Sequence, residues 1–150
     1  LPGVPHGGEL LGADHVRDVV SHLHPRRLGH GVRAAEDPAL LAELAEAGIA
    51  CEVCPASNVS LGIFHESRQV PLATLLEAGV TVALGADDPL LFGSRLVAQY
   101  DAARAVHGLD DTALATLARG SISASLAPER DRRTWLAEVD VWLAARTSDA

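Results

Sequence analysis

The feature that most limits the folds open to this chain is a rhythm. A short apolar run, a glycine or proline break and a segment of helical spacing follow one another four times between residues 4 and 108. The first run, Val4-Pro5-His6, breaks into Gly7-Gly8-Glu9. In residues 14–23 after it, Val16, Val19, Val20 and Leu23 recur at the i, i+3, i+4, i+7 spacing of an amphipathic helix. The second run, residues 26–31, precedes a helix that opens on Asp37-Pro38 and stops at Gly48. That start is a capping side chain followed by proline at the first helical position, and the stop is the usual glycine. The third run, residues 49–54, ends at Pro55; residues 56–70 read as a long polar loop and residues 71–78 as helix. The fourth, residues 80–85, runs into Asp87-Asp88-Pro89. Strands alternating with helices predict βαβ units, hence a parallel sheet with right-handed crossovers. Four units fit a small doubly wound sheet or half of an eight-unit barrel. No Gly-x-Gly-x-x-Gly follows any run, which weighs against the dinucleotide-binding form.

Beyond Pro89 the pattern is helical. One segment reaches His107-Gly108 and a second begins at Asp110-Asp111. A third spans residues 128–145 and carries Trp135, Leu136, Val139, Trp142 and Leu143 on one stripe. Aromatic residues are only 3% of the chain, so its core must be built from Leu, Val and Ala. The net charge is -8 and every basic residue is an arginine, with no basic patch. Nucleic acid and anionic membrane surfaces are therefore not expected partners. No apolar run approaches the ~18 residues of a spanning helix. Two cysteines do not make a disulfide framework, so a reducing cytoplasm is the expected setting. The chain has no methionine, and Leu1-Pro2-Gly3-Val4-Pro5 holds no element long enough to begin a domain. The expectation is the downstream part of a longer chain: one partial domain over 1–150, with βα units to 108 and closing helices over 109–147.

The chemistry gathers at the strand ends. Asp87 and Asp88 stand side by side where an apolar strand meets a helix, and adjacent carboxylates there call for a cation or a shared proton. One of the two could instead cap the helix that starts at Pro89. His6 and His30 end two further strands. In a parallel sheet the strand ends of one kind lie on one rim, where barrels carry their active sites. Two imidazoles and a carboxylate are a donor set for zinc or a similar ion. Glu9, three residues past His6, is placed for general acid–base work. Cys51 and Cys54 have Cys-x-x-Cys spacing, but strand positions i and i+3 face opposite ways, so both read as buried apolar residues. His15, His22, His24, His65 and His107 read as surface or loop histidines.

Four stretches resemble, in order, the motifs of the adenosine deaminase family. His6-Gly7-Gly8-Glu9 is similar to its His-Ala-Gly-Glu and Arg27-Leu28-Gly29-His30-Gly31 to its Arg-Ile-Gly-His-Gly. Cys54-Pro55-Ala56-Ser57-Asn58 is similar to Cys-Pro-x-Ser-Asn, and Asp87-Asp88-Pro89-Leu90 matches Asp-Asp-Pro-Leu. The resemblance covers residues 4–108 and implies an α/β fold: the C-terminal half, strands five to eight, of a (β/α)₈ barrel of the metal-dependent hydrolase type. It implies one Zn²⁺ per site, with His6 and Asp87 as ligands. Asp87 would also reach the attacking water. Glu9 would protonate purine N1, His30 would orient the water and move its proton, and Asp88 and Gly8 would contact the base. The implied reaction takes adenosine and water to inosine and ammonia.

Two departures stand out. Gly7 replaces the usual alanine, and the family's first-strand His-x-His ligand pair has no counterpart here. Two further zinc ligands are thus expected from outside these residues, and this chain alone is expected to be inactive. The alternatives are a related 6-aminopurine substrate (AMP, adenine or aminodeoxyfutalosine) and a non-enzymatic βα interaction module. Self-association through the exposed sheet edges is also expected of a half-barrel.

Overall fold

Four short strands, β1 (His6–Gly7), β2 (Arg27–His30), β3 (Ala50–Val53) and β4 (Val82–Leu84), pair in chain order, all parallel, in the computed structural model of the chain. The structure describes residues 3–148; the ends of the expected 1–150 unit, residues 1–2 and 149–150, lie outside the described residues. The register aligns Leu28 with Cys51 and Cys51 with Val82, so these apolar side chains share one face of the sheet. They are buried in one cluster with Val16 and Val19 of α1 (Ala13–Leu23), Leu40 and Leu44 of α2 (Pro38–Ala47), and Leu72 and Leu75 of α4 (Leu72–Glu77). The other face is polar. His6 stands opposite Gly29, Gly29 opposite Glu52 and Glu52 opposite Ala83, with Arg27 on the same side and ion-paired to Glu52. A parallel sheet with helices over one apolar face and a polar opposite face is the wall of a barrel seen from both sides.

The start and stop of α2 follow the expected chemistry. The Asp37 side chain accepts from the Ala39 and Leu40 amides at 2.9 and 3.2 Å, and Gly48 ends α2 in the left-handed conformation. Residues 56–70 are not the long loop the sequence predicts. Pro55 opens a short helix, α3 (Pro55–Ser60), and a 3₁₀ turn follows over Ser67–Gln69. The polar residues that read as loop, Ser57 and Asn58, are fully buried. The helix expected from Pro89 to Gly108 is two helices, α5 (Pro89–Phe92) and α6 (Leu96–Ala105), because Gly93 takes the left-handed conformation and stops the first.

α7 (Asp111–Ala124) and α8 (Glu129–Ser148) complete the chain. α7 lies hard against β4. A Cβ on Gly120 would overlap the Val82 carbonyl oxygen and sit 3.2 Å from its carbon, so only glycine permits this approach. The α7–α8 junction sits below the strands, where Arg27 donates to the Ala124 carbonyl at 3.1 Å. A cavity of about 410 Å³ between that junction and Pro25, Gly48 and Thr81 marks the N-terminal rim. Of the expected α8 stripe, Trp135, Val139 and Trp142 line a cavity with Tyr100 of α6 and Leu114 and Ile122 of α7, while Leu136 and Leu143 do not line it and both tryptophans remain exposed. Among the described residues no helix is long and apolar enough to cross a membrane.

Candidate active site

The opposite rim, at the C-terminal ends of the strands, collects the unusual side chains. A cavity of about 450 Å³ is lined there by His6, His30, Cys54, Gly85 and Asp87, with Arg27 and Glu52 deeper on the same face. His6 projects from the edge strand and its side chain is 70% exposed. Gly29 makes room for it: a Cβ there would stand 2.6 Å from His6 Cδ2. The His6 ring therefore crosses β2 and meets His30 edge-to-face, with centroids 4.8 Å apart.

Glu9 lies in the turn after β1. One carboxylate oxygen is 3.3 Å from His30 Nε2 and the other 3.8 Å from His6 Nδ1. The carboxyl group thus bridges two imidazoles from a half-sheltered position. His30 is buried, with its Nδ1 3.5 Å from Asn58 Nδ2. Burial pushes the His30 imidazole below its ordinary value, and the nearby His6 adds to this, against the opposing pull of Glu9 and Asp87. The ring is therefore neutral at neutral pH, with a lone pair to accept a proton.

His30 and Asp87 share a second trait: both hold left-handed backbone, at φ 66° and 56°. Non-glycine residues in that region are uncommon, and strain of this kind gathers at functional sites. Asp88 caps α5, its Oδ1 accepting from the Leu90 and Leu91 amides at 3.1 and 3.2 Å. Of the two roles open to the aspartate pair, Asp88 takes the cap, and Asp87 turns to the cavity. Gly8 is buried between β1 and α1; its carbonyl accepts from the Arg33 amide at 2.9 Å. Its amide lies 3.5 Å from His15 Nδ1, so His15 touches the turn that carries Glu9 and is not a plain surface residue.

The three strand-end residues expected to converge do share one cavity. Cys54 and Asn58 were not anticipated there. The signal for Cys54 was Pro55: a strand that stops at Val53 frees the next residue from the in–out alternation, so Cys54 turns to the cavity while Cys51 stays in the core. Both cysteines are free, as expected.

Among the described residues, two sets of side chains bring their donor atoms within 4.8 Å of one another: His6, Glu9 and His30, and His30, Cys54 and Asp87. The two sets share His30, and neither contains both His6 and Asp87. Imidazole, carboxylate and thiol donors fit zinc chemistry.

The adenosine deaminase family model matches residues 1–142. This chain belongs to that family. The match runs past the four motifs to include α7 and much of α8. A relative from Streptomyces virginiae, described as "Putative adenosine/adenine deaminase", is 59% identical over 95% of this chain and 42% of its own length. The adenine deaminase of Sinorhizobium fredii is 44% identical over 91% of this chain and 42% of its own. Among solved structures, the adenine deaminase of Arthrobacter aurescens superposes with a TM-score of 0.92 at 30% identity, over 96% of this chain and 44% of that one. The chain thus spans about 42% of the curated relatives it matches, and its parallel sheet corresponds to part of their barrel.

Proposed function

We propose that these residues form one half of the active site of a zinc-dependent hydrolase that replaces the 6-amino group of a purine with oxygen, releasing ammonia. The observation that carries the reading is Glu9 set between His6 and His30 on the rim that also presents Asp87. Zinc, when bound, supplies a water of pKa near ~7.

His6 and Asp87 would hold the ion, with two more ligands contributed from outside these residues; a catalytic zinc ordinarily has three protein ligands and an open position. Glu9 protonates purine N1 as water adds at C6. His30, kept neutral by burial, takes the proton from the attacking water and passes it to the departing amine. The balance is one water consumed, one C–N bond broken and one ammonia released. Gly8, buried with its carbonyl and amide turned to Arg33 and His15, shapes the turn that carries Glu9, and Asp88 keeps one carboxyl oxygen free of its cap to meet the N7 side. The single-sided pairing of β1 and β4 gives the edges through which a complementary half would close the barrel, or through which copies would associate in its absence.

Adenosine is the substrate expected from the motifs; adenine is favoured by the likeness to the Sinorhizobium and Arthrobacter adenine deaminases. The test is ammonia release from adenosine, adenine and AMP by a barrel in which these residues are joined to a complementary half. Turnover of adenine or adenosine that disappears on chelation and returns with zinc is expected. Turnover of none of them, or turnover indifferent to zinc, overturns the reading.

A further inference from the structure

We propose that His30, Cys54 and Asp87 form a second metal site, which shares Asp87 with the site assigned to His6 and competes with it for that carboxylate, and which takes a borderline or soft divalent cation through the Cys54 sulfur. The donor atoms of these three lie within 4.8 Å of one another and line one cavity. Donors in a tetrahedral N/O/S site stand roughly 3.3–3.8 Å apart, given bond lengths of ~2.0–2.3 Å. Small side-chain rotations close that difference.

The surroundings leave the sulfur free to turn. A Cβ on Gly85 would stand 3.0 Å from Cys54 Sγ, so glycine keeps that side open. The thiol donates only a long bond of 3.6 Å to the Glu52 carbonyl, and the Asp87 backbone amide also faces the sulfur. The thiol carries the proton that it donates there. A cation must displace that proton: the S–H bond breaks, a metal–sulfur bond forms and H⁺ leaves to solvent. Zinc, cobalt and cadmium accept such a mixed donor set, whereas magnesium and calcium, which want oxygen, do not. The site also borrows from the deamination machinery, and this consequence rests on the function proposed above. A cation held by His30 and Asp87 removes both from the reaction, so excess thiophilic metal would inhibit.

Cobalt(II) added to the full 150-residue chain under reducing conditions tests the site without any deamination assay. A near-ultraviolet thiolate-to-cobalt charge-transfer band is expected. Cys54→Ser should abolish the band, and Asp87→Asn should weaken binding at least about tenfold. Cys51→Ser, in the core, and His6→Ala, in the other set, should both keep it. No band in the parent chain, a band that survives Cys54→Ser, or one lost with His6→Ala overturns the proposal. If Cys54→Ser does not fold, the parent chain decides through alkylation of Cys54 by iodoacetamide: cobalt should slow it, and an unchanged rate overturns the site. Failure here leaves the deamination reading intact, since turnover is not measured.

Discussion

Gly120→Ala sets two physical effects against each other, and the structure says which wins. Gly120 lies inside α7, and by helix propensity alone alanine there should stabilise by about 1 kcal/mol. The structure argues the opposite. The new methyl would overlap the Val82 carbonyl oxygen and stand 3.2 and 3.5 Å from the Val82 carbon and Thr81 Cγ2. The obstacle is strand backbone, which cannot swing aside as a side chain can, so α7 must lift off β4. Overpacking of this kind costs about 1–3 kcal/mol, and a backbone obstacle places it at the upper end. Subtracting the propensity gain leaves a net loss of about 2 kcal/mol. For a domain of this size that lowers the melting temperature by roughly 4–8 °C. Thermal unfolding followed by circular dichroism, with urea titration as a check, reads it directly. An unchanged or raised melting temperature would refute the claimed contact between α7 and β4, and with it the idea that α7 fixes the strand leading to Asp87.

Other outcomes follow from the site and the core. Glu9→Gln in the closed barrel keeps the size of the side chain but removes its proton chemistry; kcat should fall about 10²–10⁴-fold with KM little changed, by steady-state ammonia release. Asn58→Ala removes the amide nitrogen that faces His30 Nδ1 and should lower kcat with KM little changed; an unchanged kcat would refute a positioning role. Leu117→Ala empties a fully buried site on α7 and should cost about 2–5 kcal/mol in urea unfolding. Stability should also fall between pH 7 and 5. His30 and His107 are both held below their ordinary value by burial, so the folded state prefers them neutral. Their contribution is present above the unfolded value of ~6.5 and is lost as pH falls towards the folded values. Asp37 and Asp111 are held low by Arg17 and Arg104 respectively, so their contributions persist until pH drops below ~3.9. A melting temperature flat from pH 7 to 5 contradicts the assignment to the two histidines.

The four strands and the helices between them were legible because glycine, proline and the capping Asp37 punctuate them, and a strand buried on one face leaves a plain apolar run. His6, His30 and Asp87 were legible for a related reason: parallel topology sends strand ends to one rim, whatever their distance in sequence. What stayed hidden depended on tertiary context. Ser57 and Asn58 are polar, so they read as loop, yet both are buried in α3, where Asn58 faces His30. Leu90 and Leu91 lie in the stretch that reads as one helix but are 94% and 72% exposed, so no packing pattern marks the stop at Gly93. Cys54 lies one residue past the strand end at Val53, so the in–out alternation that predicts a core position does not apply to it.

The position of the proposed zinc tests the central claim most directly. Anomalous scattering at the zinc edge from crystals of the closed barrel should place one ion within ~2.0–2.2 Å of a His6 ring nitrogen and an Asp87 carboxylate oxygen, with Glu9 beyond bonding distance. An ion bound away from His6 and Asp87, or at the N-terminal rim beside Pro25 and Thr81, would contradict the account.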